Sequence, residues 1–418
     1  MTTSTSPAPR FAALQHRNFS LLWAGLIVSN TGTWMQNVAQ GWLVLQLTNS
    51  PLWLGLLGLS FAIPMVVLPL VGGAVVDRIN RIKLLYITQT GAMLTALALA
   101  IMTWTGTVHI SYILIASFIS SCLLAFDNPA RQALVPDLVP NRDLMNAISL
   151  NSATYTGAAL VGPAIAGALL APLGAGTLFF LNAVSYLAVL VALTFMRNVQ
   201  THGSGRQHTS LGKSMLTGLS YAWNNRLIAA LLGLSALAAL FGRSYQTLLP
   251  IFARDIWNGG PAGYGILLSA SGGGALIGAF GLASIRSVKR QGAILVASGL
   301  FFSLTVILFA LSPTFWPAVG LLFLGGIAVT VFGTIISTFI QVAVPNELRG
   351  RVMSLYSITL IGLPSLGAMG SGSIAEFLGG ISGAPRAVVI GGIVMSVVLL
   401  LAAPSFWKRS VGRLGPPA

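Results

Sequence analysis

The chain has 418 residues, 55% of them hydrophobic and only 7% charged, with a mean hydropathy of +0.85. A water-soluble domain carries about 25% charged residues, so this chain cannot present a water-compatible surface and reads as an all-α polytopic membrane protein. A net charge of +15 in a soluble protein would suggest nucleic acid. Here the basic residues sit in short loops, which points instead to anionic lipid headgroups at a cytoplasmic face.

The chain opens on a polar Ser/Thr/Pro-rich stretch, Met1 to Arg10, without the short apolar core of a secretory signal. Twelve apolar segments follow, at 19–47, 51–76, 84–104, 109–130, 144–171, 174–196, 226–251, 261–285, 290–310, 316–340, 352–380 and 384–406. Each suits a membrane-crossing helix. All the Lys and Arg except Arg243, Arg254 and Arg386 fall on one face of this arrangement, so both termini are expected in the cytoplasm. The stretch 197–225 reads as a linker between an N-terminal half (1–196) and a C-terminal half (226–418). The halves are expected to be pseudo-symmetric six-helix bundles. Pro51 and Pro136 in the first half are spaced almost as Pro261 and Pro345 are in the second, as in a duplicated transporter.

The first segment carries Ser29, Thr33, Gln36, Asn37 and Gln40 at helical spacing, and the tenth carries Thr330, Thr334, Ser337 and Gln341. Polar groups at membrane depth face a bundle interior or a water-filled cavity. Each therefore reads either as a cavity residue, with Trp34, Met35 and Phe126 adding apolar contacts, or as an interhelical hydrogen bond. The turn Gly73 to Lys83 holds Asp77, Arg78 and Arg81 between two long spans. In the fifth segment, Gly157, Gly162, Pro163 and Gly167 form either a gating bend or a tight packing face. Arg243, with Gln246 nearby, lies inside the seventh segment. An arginine at that depth costs about 2.5–3.5 kcal/mol, to be offset by an anionic cargo or a cavity acid, or avoided by snorkelling. Among seven acids, Asp127 is the candidate proton site, and its rival role is pairing with Arg131 four residues on. The histidines His16, His109, His202 and His208 sit near segment ends or in loops, so neither a metal site nor an enzyme is expected. No nucleotide-binding Gly-x-x-x-x-Gly-Lys-Ser/Thr occurs, and no cofactor is called for.

Gly73, Asp77, Arg78, Arg81 and Lys83 resemble the loop signature of the major facilitator superfamily, Gly-x-x-x-Asp-Arg-x-Gly-Arg-Arg/Lys. Asn80 replaces its glycine and is expected to tolerate a left-handed turn. Trp34-Met35-Gln36, Asn128-Pro129-Ala130-Arg131 and Gly162-Pro163-Ala164 are similar to bacterial exporters of the enterobactin-exporter type. The resemblance implies a cavity lined by the first, fourth, seventh and tenth helices. It also implies a latch in which Asp77, with Arg78 and Arg131, meets the positive end of the eleventh helix; the alternative is a loop acid that only orients the turn. The function it implies is proton-coupled export of a small amphipathic molecule (a siderophore, secondary metabolite or drug) by a monomer in the bacterial inner membrane. The runner-up is import of a small nutrient.

Overall fold

The structure, a computed structural model, describes residues 11–76, 79–197, 219–284 and 290–406, with 69–76 described by their backbone alone. Four helices come first: α1 (Arg17–Thr48), α2 (Pro51–Val76), α3 (Arg81–Trp104) and α4 (Ile110–Leu138). Next comes a helical stretch, Leu144–Phe195, of 52 residues. At 1.5 Å per residue that is about 78 Å, more than twice the ~30 Å of a hydrocarbon core. Gly174, at φ 74° and ψ 168°, divides it because glycine alone enters that region without a Cβ clash. The two spans are α5 (144–173) and α6 (175–195).

The second half begins with α7 (Arg226–Ile256), a composite of two α-helical pieces and two π turns. It continues with α8 (Gly260–Ala283), α9 (Gln291–Leu311), α10 (Phe315–Ala343), α11 (Asn346–Phe377, with a joint at Gly362) and α12 (Ala384–Phe406). The twelve expected spans are therefore present, as two six-helix bundles. The part of the linker at 198–218 lies outside the described residues.

Three local expectations change. Helix α4 runs on through Pro129 and Pro136 to Leu138, so Asp137 belongs to a helix rather than a loop. Membrane helices tolerate such prolines because neighbours re-satisfy the backbone, and Arg81 Nη1 donates to the Ala133 carbonyl at 3.0 Å. Helix α11 starts at Asn346, with Pro345 as its N-cap and Glu347 in its first turn, where a carboxylate complements the helix dipole. Asn80 is not left-handed, at φ −56°. It caps α3 instead, its Oδ1 accepting from the backbone N–H groups of Ile82 and Lys83 at 3.0 and 3.2 Å.

The duplication appears in the backbone. Asn49 and Asn258 both sit at φ 51°, just ahead of Pro51 and Pro261. The halves meet along two seams, α2 against α11 and α5 against α8. Shifting by six helices turns one seam into the other. Both rest on bare backbone, because apolar attraction between helices is weak in lipid and close packing must supply the adhesion. A Cβ on Gly372 would lie 2.6 Å from the Pro51 carbonyl oxygen. One on Gly265 would lie 2.8 Å from Gly167 Cα and closer still to the Pro163 carbonyl.

Candidate functional site

Between the halves, at mid-span, lies a cavity of about 600 Å³. The C-terminal half supplies most of its wall. From α7 come Ser235, Arg243 and Gln246, from α8 Ser271, from α10 Thr330, Thr334 and Ser337, and from α11 Tyr356. The N-terminal half adds Trp34 from α1 and Tyr155, Thr156 and Pro163 from α5. Arg243 is placed by a break in α7. The π turn Ala238–Gly242 ends with the Arg243 N–H bonded to the Ala238 carbonyl at 3.0 Å, five residues back, and a regular helix resumes at Tyr245. Such π turns add a residue to one face of a helix and recur at functional sites.

Arg243 is the only charged residue on this wall, and among the described residues its guanidinium makes no hydrogen bond or ion pair. Two phenols, Tyr155 from one half and Tyr356 from the other, lie within the field of its guanidinium. Tyr356 donates its O–H to the Gly333 carbonyl at 2.9 Å. The Tyr155 ring lies 6.1 Å from Trp34. Thr330 and Thr334 spend their hydroxyl protons on carbonyls one turn back, while Ser337 accepts from Gln341 at 2.8 Å.

Of the expected cavity residues, the structure brings together Trp34, Arg243, Gln246, Thr330, Thr334 and Ser337. It turns most of the α1 stripe inward. Gln36 accepts from Asn182 Nδ2 of α6 at 2.7 Å, Thr33 meets the Tyr186 hydroxyl at 3.3 Å, and Gln40 is buried. Asn37 is exposed but lies off this wall. Met35 is buried, and Phe126 packs into the apolar cluster toward the other end of its half. Helix α4 contributes nothing to the wall; α5, α8 and α11 do. Sequence reasoning missed Tyr155, Ser271 and Tyr356. Their signal, a polar-tipped or hydroxyl side chain halfway along an apolar span, was present.

Asp127 lies away from the cavity, buried between α3 and α4. Thr88 Oγ1 and Gln89 Nε2 each donate to its Oδ1 at 2.8 Å, and Arg131 pairs with Oδ2. Arg131 is thus engaged inside its own half. Arg81 pairs with Asp137 at 2.5 Å, and Lys83 is exposed. Gly73 is described by its backbone only, and Asp77 and Arg78 lie outside the described residues. Gly162 sits under Trp34, and Pro163 and Gly167 form the α5–α8 seam. Gly157 faces open space and packs against nothing.

The contacts joining the halves gather at the end away from the basic loops. Arg254 reaches from α7 to the Leu45 carbonyl at 3.1 Å and to the Asn49 side chain, satisfying the exposed carbonyl end of α1. Ser50 donates to Glu376 at 2.8 Å, and Trp42 stacks on Tyr264 at 6.4 Å. Among the described residues no hydrogen bond or ion pair crosses between the halves at the basic end. Arg254→Gln is expected to loosen this closed end. A partly exposed charge-assisted bond is worth about 1 kcal/mol. Pulsed electron resonance between spin labels at Thr107 and Thr314 should then show a roughly fivefold larger population at longer separation.

Two bundles closed at one end around a central cavity have the layout of a membrane transporter. The transmembrane secretion effector family, a branch of the major facilitator superfamily, matches residues 8–408, and the chain belongs to it. It is 29% identical to the Staphyloferrin A transporter of Staphylococcus aureus over 59% of this chain and 62% of that one. It is 24% identical to the Multidrug efflux pump Tap of Mycolicibacterium fortuitum over 86% and 89%. The solved structure of the nucleoside transporter NupG superposes with a TM-score of 0.77 at 17% identity, covering 94% of this chain and all of that one. This protein is a multi-pass transporter of small molecules with efflux-type relatives.

Proposed function

We propose that the protein is a proton-coupled exporter of small amphipathic molecules that works as a monomer by alternating access. The cavity between the halves, closed at one end by the Arg254, Ser50–Glu376 and Trp42–Tyr264 contacts, is the observation that carries this reading. The positive-inside rule puts the basic end, both termini and anionic lipid contacts at the cytoplasmic face of the bacterial inner membrane. In that orientation the described conformation receives cargo from the cytoplasm. Residues 1–196 and 226–418 then rock as two units joined by 197–225, with the α5 stretch from Gly157 to Gly167 guiding the motion. Asp77 with Gly73, Arg78, Arg81 and Lys83 closes the cytoplasmic side in the alternate state through the N-terminal dipole of α11. Proton coupling runs through Asp127, whose protonation releases Arg131 from its pair.

Inverted membrane vesicles test the coupling. A fluorescently labelled siderophore should accumulate when an inward-acid gradient is imposed, and that accumulation should collapse by at least tenfold when nigericin dissipates the gradient. Accumulation indifferent to nigericin rules the coupling out. Asp77→Asn should insert normally yet lose most of the flux, because a dipole contact of about 0.3–2 kcal/mol is enough to bias a balanced equilibrium. Undiminished flux in that variant would end the latch assignment.

A further inference from the structure

The cavity wall gives a charge preference that the transporter family does not specify. Every described acid has a role elsewhere. Asp127 pairs with Arg131, Asp137 with Arg81, Asp143 with His16 and Arg142, and Asp255 with Arg254. Glu376 accepts from Ser50, and Glu347 lies in the first turn of α11 at the basic end. Arg243 thus reaches the cavity as a guanidinium with no carboxylate to neutralise it, in surroundings that are otherwise uncharged. Near it, the Tyr155 hydroxyl also makes no hydrogen bond among the described residues, and the residue is 62% exposed. Two donors without acceptors face one space, and the donors come from opposite halves. An oxyanion satisfies both at once, since a guanidinium offers a fork of N–H groups that matches a carboxylate. The Trp34 and Tyr155 rings, inclined at 59° to each other, supply an aromatic corner beside it, with Leu268, Val329 and Ile336 along the wall. The volume, about 600 Å³, falls within the usual span for a small-molecule site. A cationic guest would meet Arg243 as a like charge, which selects against it.

We propose that the preferred cargo is an amphipathic aromatic anion whose carboxylate binds Arg243 and Tyr155 together while its ring packs into the corner between Trp34 and Tyr155. This rests on the cavity being the cargo site. The test is equilibrium dialysis of the full-length protein in nanodiscs against three probes of one shape: naphthalene-2-carboxylate, 2-naphthylmethanol and 2-naphthylmethylammonium. Wild type should bind the carboxylate at least tenfold more tightly than the ammonium probe. Arg243→Gln should abolish that preference and leave the alcohol unchanged, and Tyr155→Phe should weaken the carboxylate alone by roughly threefold to fivefold. If Arg243→Gln does not fold, Arg243→Lys carries the same test, keeping the charge preference but losing part of the affinity with the fork. Equal binding of carboxylate and ammonium probes by wild type, no carboxylate binding, or an unchanged preference in Arg243→Gln overturns the proposal. Binding is read without any gradient, so a failure of proton coupling leaves it standing. Probes bound without regard to charge would refute it and leave the exporter reading intact.

Discussion

Replacing Gly265 with valine is expected to disable the transporter without unfolding it. Gly265 of α8 sits directly on the α5 backbone, and even a first Cβ would press on the Pro163 carbonyl and come within 2.8 Å of Gly167 Cα. No flexible side chain is there to give way. Overpacking a well-filled contact costs about 1–3 kcal/mol, and here the neighbour is backbone, so the upper part of that range applies. The cost falls on the conformation in which α5 and α8 touch. A penalty of about 3 kcal/mol shifts a balanced two-state equilibrium more than a hundredfold, so the end closed by Arg254 should stand open most of the time. Flux in vesicles should fall to near background while the protein remains monodisperse in detergent. The control is Gly281→Val on the same helix, whose Cβ meets nothing within 4 Å and which should transport normally. A fully active Gly265→Val protein would mean that this seam is not a working contact.

The second large effect concerns Asp127. In Asp127→Asn, the carboxamide oxygen can still accept from Thr88 and Gln89, but its NH₂ then faces Arg131 donor to donor. A buried guanidinium without its partner costs about 3–5 kcal/mol. Unfolding in mixed micelles titrated with dodecyl sulfate should register that loss. Asp127→Asn with Arg131→Gln should recover most of it, because an uncharged amide pair can hydrogen-bond in either sense. The double variant also separates the two roles of the acid. Restored stability with gradient-driven flux still missing assigns the proton to Asp127. Restored stability with restored coupling makes the pair a structural brace and sends the search for the proton site elsewhere.

How far the sequence can be read depends on which force sets each feature. The spans were legible because lipid demands continuous apolar helices: α2 and α12 run over 51–76 and 384–406 as their hydropathy indicates. The ends of α4 and α11 were not, since proline usually signals a break, and Arg81, which holds the Ala133 carbonyl near the end of α4, acts from elsewhere in the fold. Half of the cavity was legible. Arg243 and the α10 hydroxyls stood out because a polar group in an apolar span needs a reason. The α1 stripe was ambiguous for that same reason. Helical spacing says that Thr33, Gln36 and Gln40 share a side of α1, but whether that side looks onto water or onto Asn182 and Tyr186 of α6 is decided by tertiary packing. Tyr155 and Tyr356 escaped notice because tyrosine in a membrane span is unremarkable until its neighbours are known.

The joint at Gly174 has a mechanical consequence. With one residue between them, α5 and α6 have no slack. Helix α5 bears on α8 of the other half, and α6 is tied to α1 by Asn182 and Gln36. A displacement started at the contact between halves therefore reaches α1 by two routes, directly where Gly162 sits under Trp34 and, as through a lever with a stiff elbow, across that joint into α6. Lengthening the connection by a few flexible residues would let the force on the second route dissipate before it travelled that far.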